Sequence, residues 1–276
     1  MSRPVGRIAA KFAELKKQGR GALIPFIEAW DPDQATSMAL LRGMPEAGAD
    51  LIEIGMPFTD PMADGPIIQA AGKRGLAAGV KVAKVLEMVR AFRETDDTTP
   101  VVLMGYLNPI LSYGPERFCV DATKAGVDGL IIVDLPTEEA DLLLPFSNAN
   151  GLDFIRLIAP TTDNARLPHV LAGSSGFVYY VSITGITGTH SASSEQLEAA
   201  IPRLRAATDL PIAIGFGVRT PDQAGTAARI ADAAVVASAL IDTLSANLDS
   251  EGKALPGAVE KVLDQVRNLA TAVRHR

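Results

Sequence analysis

Three carboxylates crowd one stretch of the chain, "LIEIGMPFTDPMADGP" at residues 51–66. Glu53 sits among apolar residues that read as a buried strand, and Asp60 and Asp64 follow in the loop. A buried Glu costs free energy unless it is paired, hydrogen-bonded or protonated, so its place in mid-strand asks for a use. General acid/base catalysis is one such use; a structural Glu tied into a buried hydrogen-bond network is the other. Asp60 and Asp64 carry less weight by themselves, because Asp in a Pro- and Gly-rich loop is most often a turn residue.

Other reactive groups are poorly placed. None of the lysines falls within an apolar run, which argues against a Schiff-base lysine. His169, His190 and His275 have no spacing suited to zinc, so the chemistry expected is metal-free work by carboxylates. For an anionic substrate the useful features are "GFG" at 215–217 and "ASALID" at 237–242. Glycines let backbone approach a ligand, and a short helix starting near Ser238 would aim free N–H groups at a phosphate.

The elements that must position these groups are eight short apolar runs: "ALIPFIEA", "DLIEIGMP", "VVLMGYLNP", "GLIIVDLP", "DFIRLIAP", "FVYYVSI", "PIAIGFGV" and "AAVVASALI". Helical patterns separate them. Near-continuous apolar strands alternating with helices indicate a parallel sheet covered on both faces, and eight such units predict a (β/α)₈ barrel, or TIM barrel. No linker or low-complexity break divides the chain, so one domain over residues 1–276 is expected. Val5, Ile8, Phe12 and Leu15 recur at helical spacing before the first run, which predicts an extra N-terminal amphipathic helix. Two connections are long, 58–79 and 184–195, and in this fold the loops after strands build the active face. Alternation along the second run turns Leu51, Glu53 and Gly55 into the barrel and Ile52, Ile54 and Met56 toward the helices. Arg156, a charge inside the fifth run, has no evident use.

Composition narrows the function. The chain has 276 residues, 47% hydrophobic content and a net charge of -6, with no basic cluster longer than two residues. That is ample for a core and unsuited to nucleic-acid binding. Cys119 is the single cysteine, and no apolar segment is long enough for a membrane span, so a cytoplasmic protein with no membrane attachment is expected.

Five segments in order, "LIEIGMPFTDPMADGPIIQAA", "MGYLNPI", "DGLIIVDLP", "YYVSITGITG" and "IGFGV", resemble the tryptophan synthase alpha subunit family. The resemblance implies a lyase that cleaves indole-3-glycerol phosphate to indole and glyceraldehyde 3-phosphate in tryptophan biosynthesis. It implies no cofactor in this chain, and a beta-subunit partner, in an alpha/beta heterotetramer, that holds pyridoxal phosphate. By resemblance Glu53 is the catalytic acid/base and Asp64 stabilises charge at the ring nitrogen. Phe26, Met104, Val133, Leu157 and Tyr179 match the indole pocket. Thr187, Gly188, Gly217, Ala237 and Ser238 match substrate positions that include the phosphate site. Asp60, Pro61, Asn108 and Pro136 match positions near the partner.

Three residues depart from the family pattern. Glu28 stands where a small, often hydroxyl, residue is usual, and Trp30 and Ala237 stand where glycine is usual. If glycine at 30 serves a positive φ, the loop must be remodelled there; Ala237 is tolerable if its φ is negative. Glu28 should face the pocket, near enough to Glu53 for the two titrations to couple, or else turn away to cap loop N–H groups or pair with an arginine. Two further readings compete with a lyase. One is a catalytically weakened alpha-like chain that mainly activates a beta subunit. The other is a sugar-phosphate isomerase barrel, which explains "GFG" but leaves "PFTDPMADGP" unexplained.

Overall fold

The computed structural model describes residues 6–181, 194–215 and 217–274. Among the described residues nine parallel strands form the barrel: β1 (Ala22–Glu28), β2 (Ile52–Gly55), β3 (Val101–Gly105), β4 (Gly129–Ile132), β5 (Asp153–Phe154), β6 (Arg156–Ile158), β7 (Val178–Val181), β8 (Ile212–Gly215) and β9 (Ala233–Val236). Their order around the sheet is β5-β4-β3-β2-β1-β9-β8-β7-β6. The eight expected runs are all present, but the fifth is split at Ile155. There the ladder partner changes from β4 to β7, and the chain from Phe154 to Arg156 joins the two edges.

Side-chain alternation sorts the strands into two cores. Leu51, Val102, Ile131, Ile155, Tyr179 and Val235 fill the barrel interior. Ile52, Ile54, Leu103, Ile132, Phe154 and Ile214 face the surrounding helices. The interior residues Ala22, Ala213 and Ala233 are small, and the expected N-terminal helix, Arg7–Gln18, uses the room they leave. Its Ile8, Phe12 and Leu15 are buried among them, with Phe12 5.9 Å from the Phe177 ring. Gly19 ends the helix at φ 67, its N–H reaching the carbonyls of Leu15 and Lys16. Val5 lies outside the described residues.

Two sequence puzzles have structural answers. Arg156 is 4% exposed; its Nη1 donates to Leu135 O at 2.9 Å and its guanidinium lies 4.5 Å over the Phe154 ring. It thus braces the segment after β4 from the helix side of the sheet. The loop at Trp30 is not remodelled: Trp30 itself takes the left-handed conformation at φ 63. Its N–H donates to Ser37 Oγ at 3.0 Å, and its ring packs against the outer core.

Candidate active site

Glu53 occupies the middle of β2, in register with Phe26 of β1 and Val102 of β3, and is 1% exposed. Its inward aim follows from strand alternation. Its Oε2 has no hydrogen-bond partner among the described residues. Burial, and next the charge of Asp64, push its pKa up to about 8. Near neutral pH Glu53 is therefore an acid that holds its proton close to the point of release, as proton-transfer catalysis requires. The charge of Glu53 in turn helps raise the Tyr179 hydroxyl, after the larger effect of burial. Tyr179 lies across the barrel on β7, over Gly215.

Asp64 ends the loop after β2 and is half-buried. Helix Pro66–Ala77 starts two residues later, and Gln69 Nε2 donates to the Asp64 carbonyl at 2.8 Å. Burial raises the Asp64 carboxyl to about 6, while a hydrogen bond from Tyr106 opposes the rise. Tyr106 is a site residue that no sequence pattern singles out. It lies just beyond β3, two residues past Met104, and its hydroxyl also accepts from Ala63 N–H at 3.0 Å. Phe58 covers its ring at 5.5 Å. The loop bearing Asp64 is therefore fastened by one tyrosine, the third residue of "MGYLNPI".

Glu28 does face inward, but its neighbour is not the one expected. The register sets it opposite Gly55, one inward layer above the Phe26–Glu53 pair. Burial, then Asp64, then Asp31 raise its pKa well above the usual range, and Arg74 opposes them. Its electrostatic partner is Asp64; Glu53 is not among the groups that shift it. Glu28, Asp64, Tyr106, Phe26, Met104 and Val133 line one cavity at the mouth of the barrel.

The remaining assignments fall at the same end. Phe26, Met104, Leu157 and Tyr179 project from β1, β3, β6 and β7, and Val133 follows β4. All pack in or beside the barrel interior. Gly217 has φ 89, a conformation that suits glycine. Ala237, at φ -117, meets the condition set for it and precedes helix Ser238–Ser245 without a side-chain cap. Asp60 and Asn108 are exposed, Pro136 is exposed and Pro61 half-exposed, on the loops after β2, β3 and β4. Thr187, Gly188, His190 and most of the loop 184–195 lie outside the described residues, as do Phe216 and His275. Among the described residues no group of His, Cys, Asp or Glu is arranged to hold a metal ion. The arrangement supplies one buried proton donor, one carboxylate fixed by a tyrosine, an apolar slot and a helix N-terminus.

Residues 12–274 match the family described as Tryptophan synthase alpha chain. The chain is 70% identical over 270 residues to the tryptophan synthase alpha chain of Granulibacter bethesdensis, covering 98% of this chain and 97% of that one. Identity to the Gluconacetobacter diazotrophicus chain of the same name is 66% over 271 residues, covering 98% and 99%. Of solved structures, tryptophan synthase subunit alpha from Legionella pneumophila superimposes with TM-score 0.88 at 37% identity, covering 97% and 98% of the two chains. A chain in the Mycobacterium tuberculosis tryptophan synthase structure also gives TM-score 0.88, at 34% identity over 99% and 100%.

Proposed function

This chain belongs to the tryptophan synthase alpha chain family, and from that premise we propose how its own residues divide the work. The reaction is the lyase step that cleaves indole-3-glycerol phosphate to indole and glyceraldehyde 3-phosphate. It needs no cofactor in this chain; pyridoxal phosphate belongs to the beta chain with which the alpha chain functions.

Glu53 delivers its proton to ring carbon 3, and positive charge develops on the ring nitrogen. Asp64, ionised and held by Tyr106, accepts the ring N–H and stabilises that charge. The Glu53 carboxylate then takes the proton from the side-chain hydroxyl. The carbon–carbon bond breaks, its electron pair returns to the ring, and the aldehyde leaves, so the hydroxyl proton replaces the one given to the ring. Phe26, Met104, Val133, Leu157 and Tyr179 hold the ring, with Thr187 as a further substrate contact. Gly188, Gly217, Ala237 and Ser238 receive the phosphate at the helix N-terminus. Asp60, Pro61, Asn108 and Pro136 face the beta chain.

The observation that carries this reading is a buried, proton-holding Glu53 whose pKa is raised in part by the charge of Asp64, which lies on the wall of the mouth cavity. Glu28 and Trp30 leave both in place, which favours a working lyase over a chain that only activates its partner. No helix among the described residues is long and apolar enough to cross a membrane; we place the protein in the cytoplasm. The test is to add indole-3-glycerol phosphate to the purified chain and measure indole. Stimulation of a beta chain with no indole released would overturn the reading.

A further inference from the structure

Two helices begin at the end of the barrel that carries the pocket. Pro66–Ala77 begins two residues after Asp64, and Ser238–Ser245 begins where the phosphate is placed. Close to the pocket they share one small apolar cluster, in which Ile68 and Ala71 of the first and Ile241 of the second close around Phe26. Farther from the pocket a polar contact joins them again. Arg74 Nη2 donates to Ser245 Oγ at 2.9 Å. The same guanidinium grips Asp31 with two prongs, Nε to Oδ1 at 2.5 Å and Nη2 to Oδ2 at 2.9 Å. Asp31 is 1% exposed and lies in the loop that leaves β1, three residues past Glu28.

A rigid helix fastened at one point can still pivot about it; fastened at two, it cannot. At about 1.5 Å per residue, Arg74 sits roughly 9 Å along its helix from Ile68, and Ser245 roughly 6 Å from Ile241. Slack at the far contact would therefore be felt at the near end, where Asp64 hangs. We propose that Arg74 is a positioning residue for the lyase reaction: through Ser245 and Asp31 it ties the phosphate-bearing helix to the helix behind Asp64, so that docking the phosphate also sets Asp64 against the ring. The inference rests on the roles given above to Asp64 and Ser238.

Replacing Arg74 itself is uninformative, because Asp31 would be left buried without its partner and the fold would suffer. Ser245→Ala removes one hydrogen bond and spares the pair, and Ser245→Thr keeps the hydroxyl. In the full-length chain, Ser245→Ala should lower kcat about fivefold, the scale of one ordinary hydrogen bond. The Kd for glycerol 3-phosphate should change less than about twofold, and Ser245→Thr should restore kcat. A purely structural role would lower Tm without this split. Hydrogen exchange gives the direct readout. Saturating glycerol 3-phosphate should slow exchange in both 238–245 and 64–72 of the wild type, and only in 238–245 of Ser245→Ala. Equal slowing of 64–72 in the two proteins, or an unchanged kcat, overturns the tie while leaving the phosphate placement intact. If the wild type shows no slowing in 238–245, the phosphate placement itself fails and takes the proposal with it.

Discussion

Glu28 occupies the space that a side chain on Gly55 would need. A Cβ at position 55 would lie 2.3 Å from Glu28 Oε2 and 2.6 Å from Phe26 Cζ. Glycine is required there for room, since its φ is not positive. Gly55→Ala should push both side chains off their places and lower kcat/KM about tenfold or more, the scale on which small misplacements in a site are felt. Steady-state kinetics on a folded Gly55→Ala chain decide it; unchanged values would mean that the pocket has slack.

Glu53→Gln and Asp64→Asn should each lower turnover far more than they weaken substrate binding, because both act on protons or charge that arise in the transition state. The expected loss is about 10²–10⁴-fold for a proton-transfer group. A folded Glu53→Gln protein with near-normal kcat would remove Glu53 from the mechanism.

The pH profile should be a bell. Asp64 must be ionised and is raised to about 6, so kcat falls on the acid side. Glu53 must hold its proton and is raised to about 8, so kcat falls on the alkaline side. Asp64 contributes to the rise at Glu53. Asp64→Asn should therefore move the alkaline limb of its residual activity to lower pH. A limb that stays put would show that the two carboxyls do not sense each other.

Burial of Glu53 also has a stability signature. Its ordinary value is 4.5 and its folded value about 8, so the native state keeps a proton that the unfolded chain has released. The stabilisation this group gives is present below about pH 4.5 and is lost as pH rises toward 8. Gln never ionises. Thermal unfolding should show the Tm of Glu53→Gln gaining on the wild type between about pH 5 and 8; a gap that does not change with pH would refute the raised value.

At Trp30 two substitutions separate strain from packing. Trp30→Gly and Trp30→Ala both lose the ring, but only glycine is relieved of the left-handed penalty, about 1–2 kcal/mol for a residue with a Cβ. Glycine's looser unfolded chain takes back about 0.5–1 kcal/mol. Trp30→Gly should thus be the more stable by roughly 0.5–1 kcal/mol in chemical denaturation, and the reverse order would mean that the loop has relaxed.

The barrel was legible because buried parallel strands leave near-continuous apolar runs, and period-two alternation alone turned Glu53 inward. Helix spacing exposed Ile8, Phe12 and Leu15, and the start at Ser238 followed from its place after the last run. Pairwise relations were harder to see. Strand register puts Glu28 against Gly55 and toward Asp64, and register is set by hydrogen bonds between strands far apart in the chain. The role of Tyr106 left no pattern in the sequence, since only the folded loop brings Ala63 N–H and the Asp64 carboxyl to its hydroxyl. The break at Ile155 left no mark, because its alternation continues unchanged through the switch of partner.

The helix Arg7–Gln18 that floors the barrel also sets a timetable. It and β1 are made first, yet Ala233 and Val235, against which they close, belong to the last strand, and β1 is paired to that strand from Ala22 to Pro25. At synthesis rates of about 5–20 residues per second, the interval is about 10–40 s. Through that time Ile8, Phe12 and Leu15 have emerged without the far wall of their core. A ribosome that stalls before β9 leaves a chain whose earliest apolar helix has only an incomplete floor to fill.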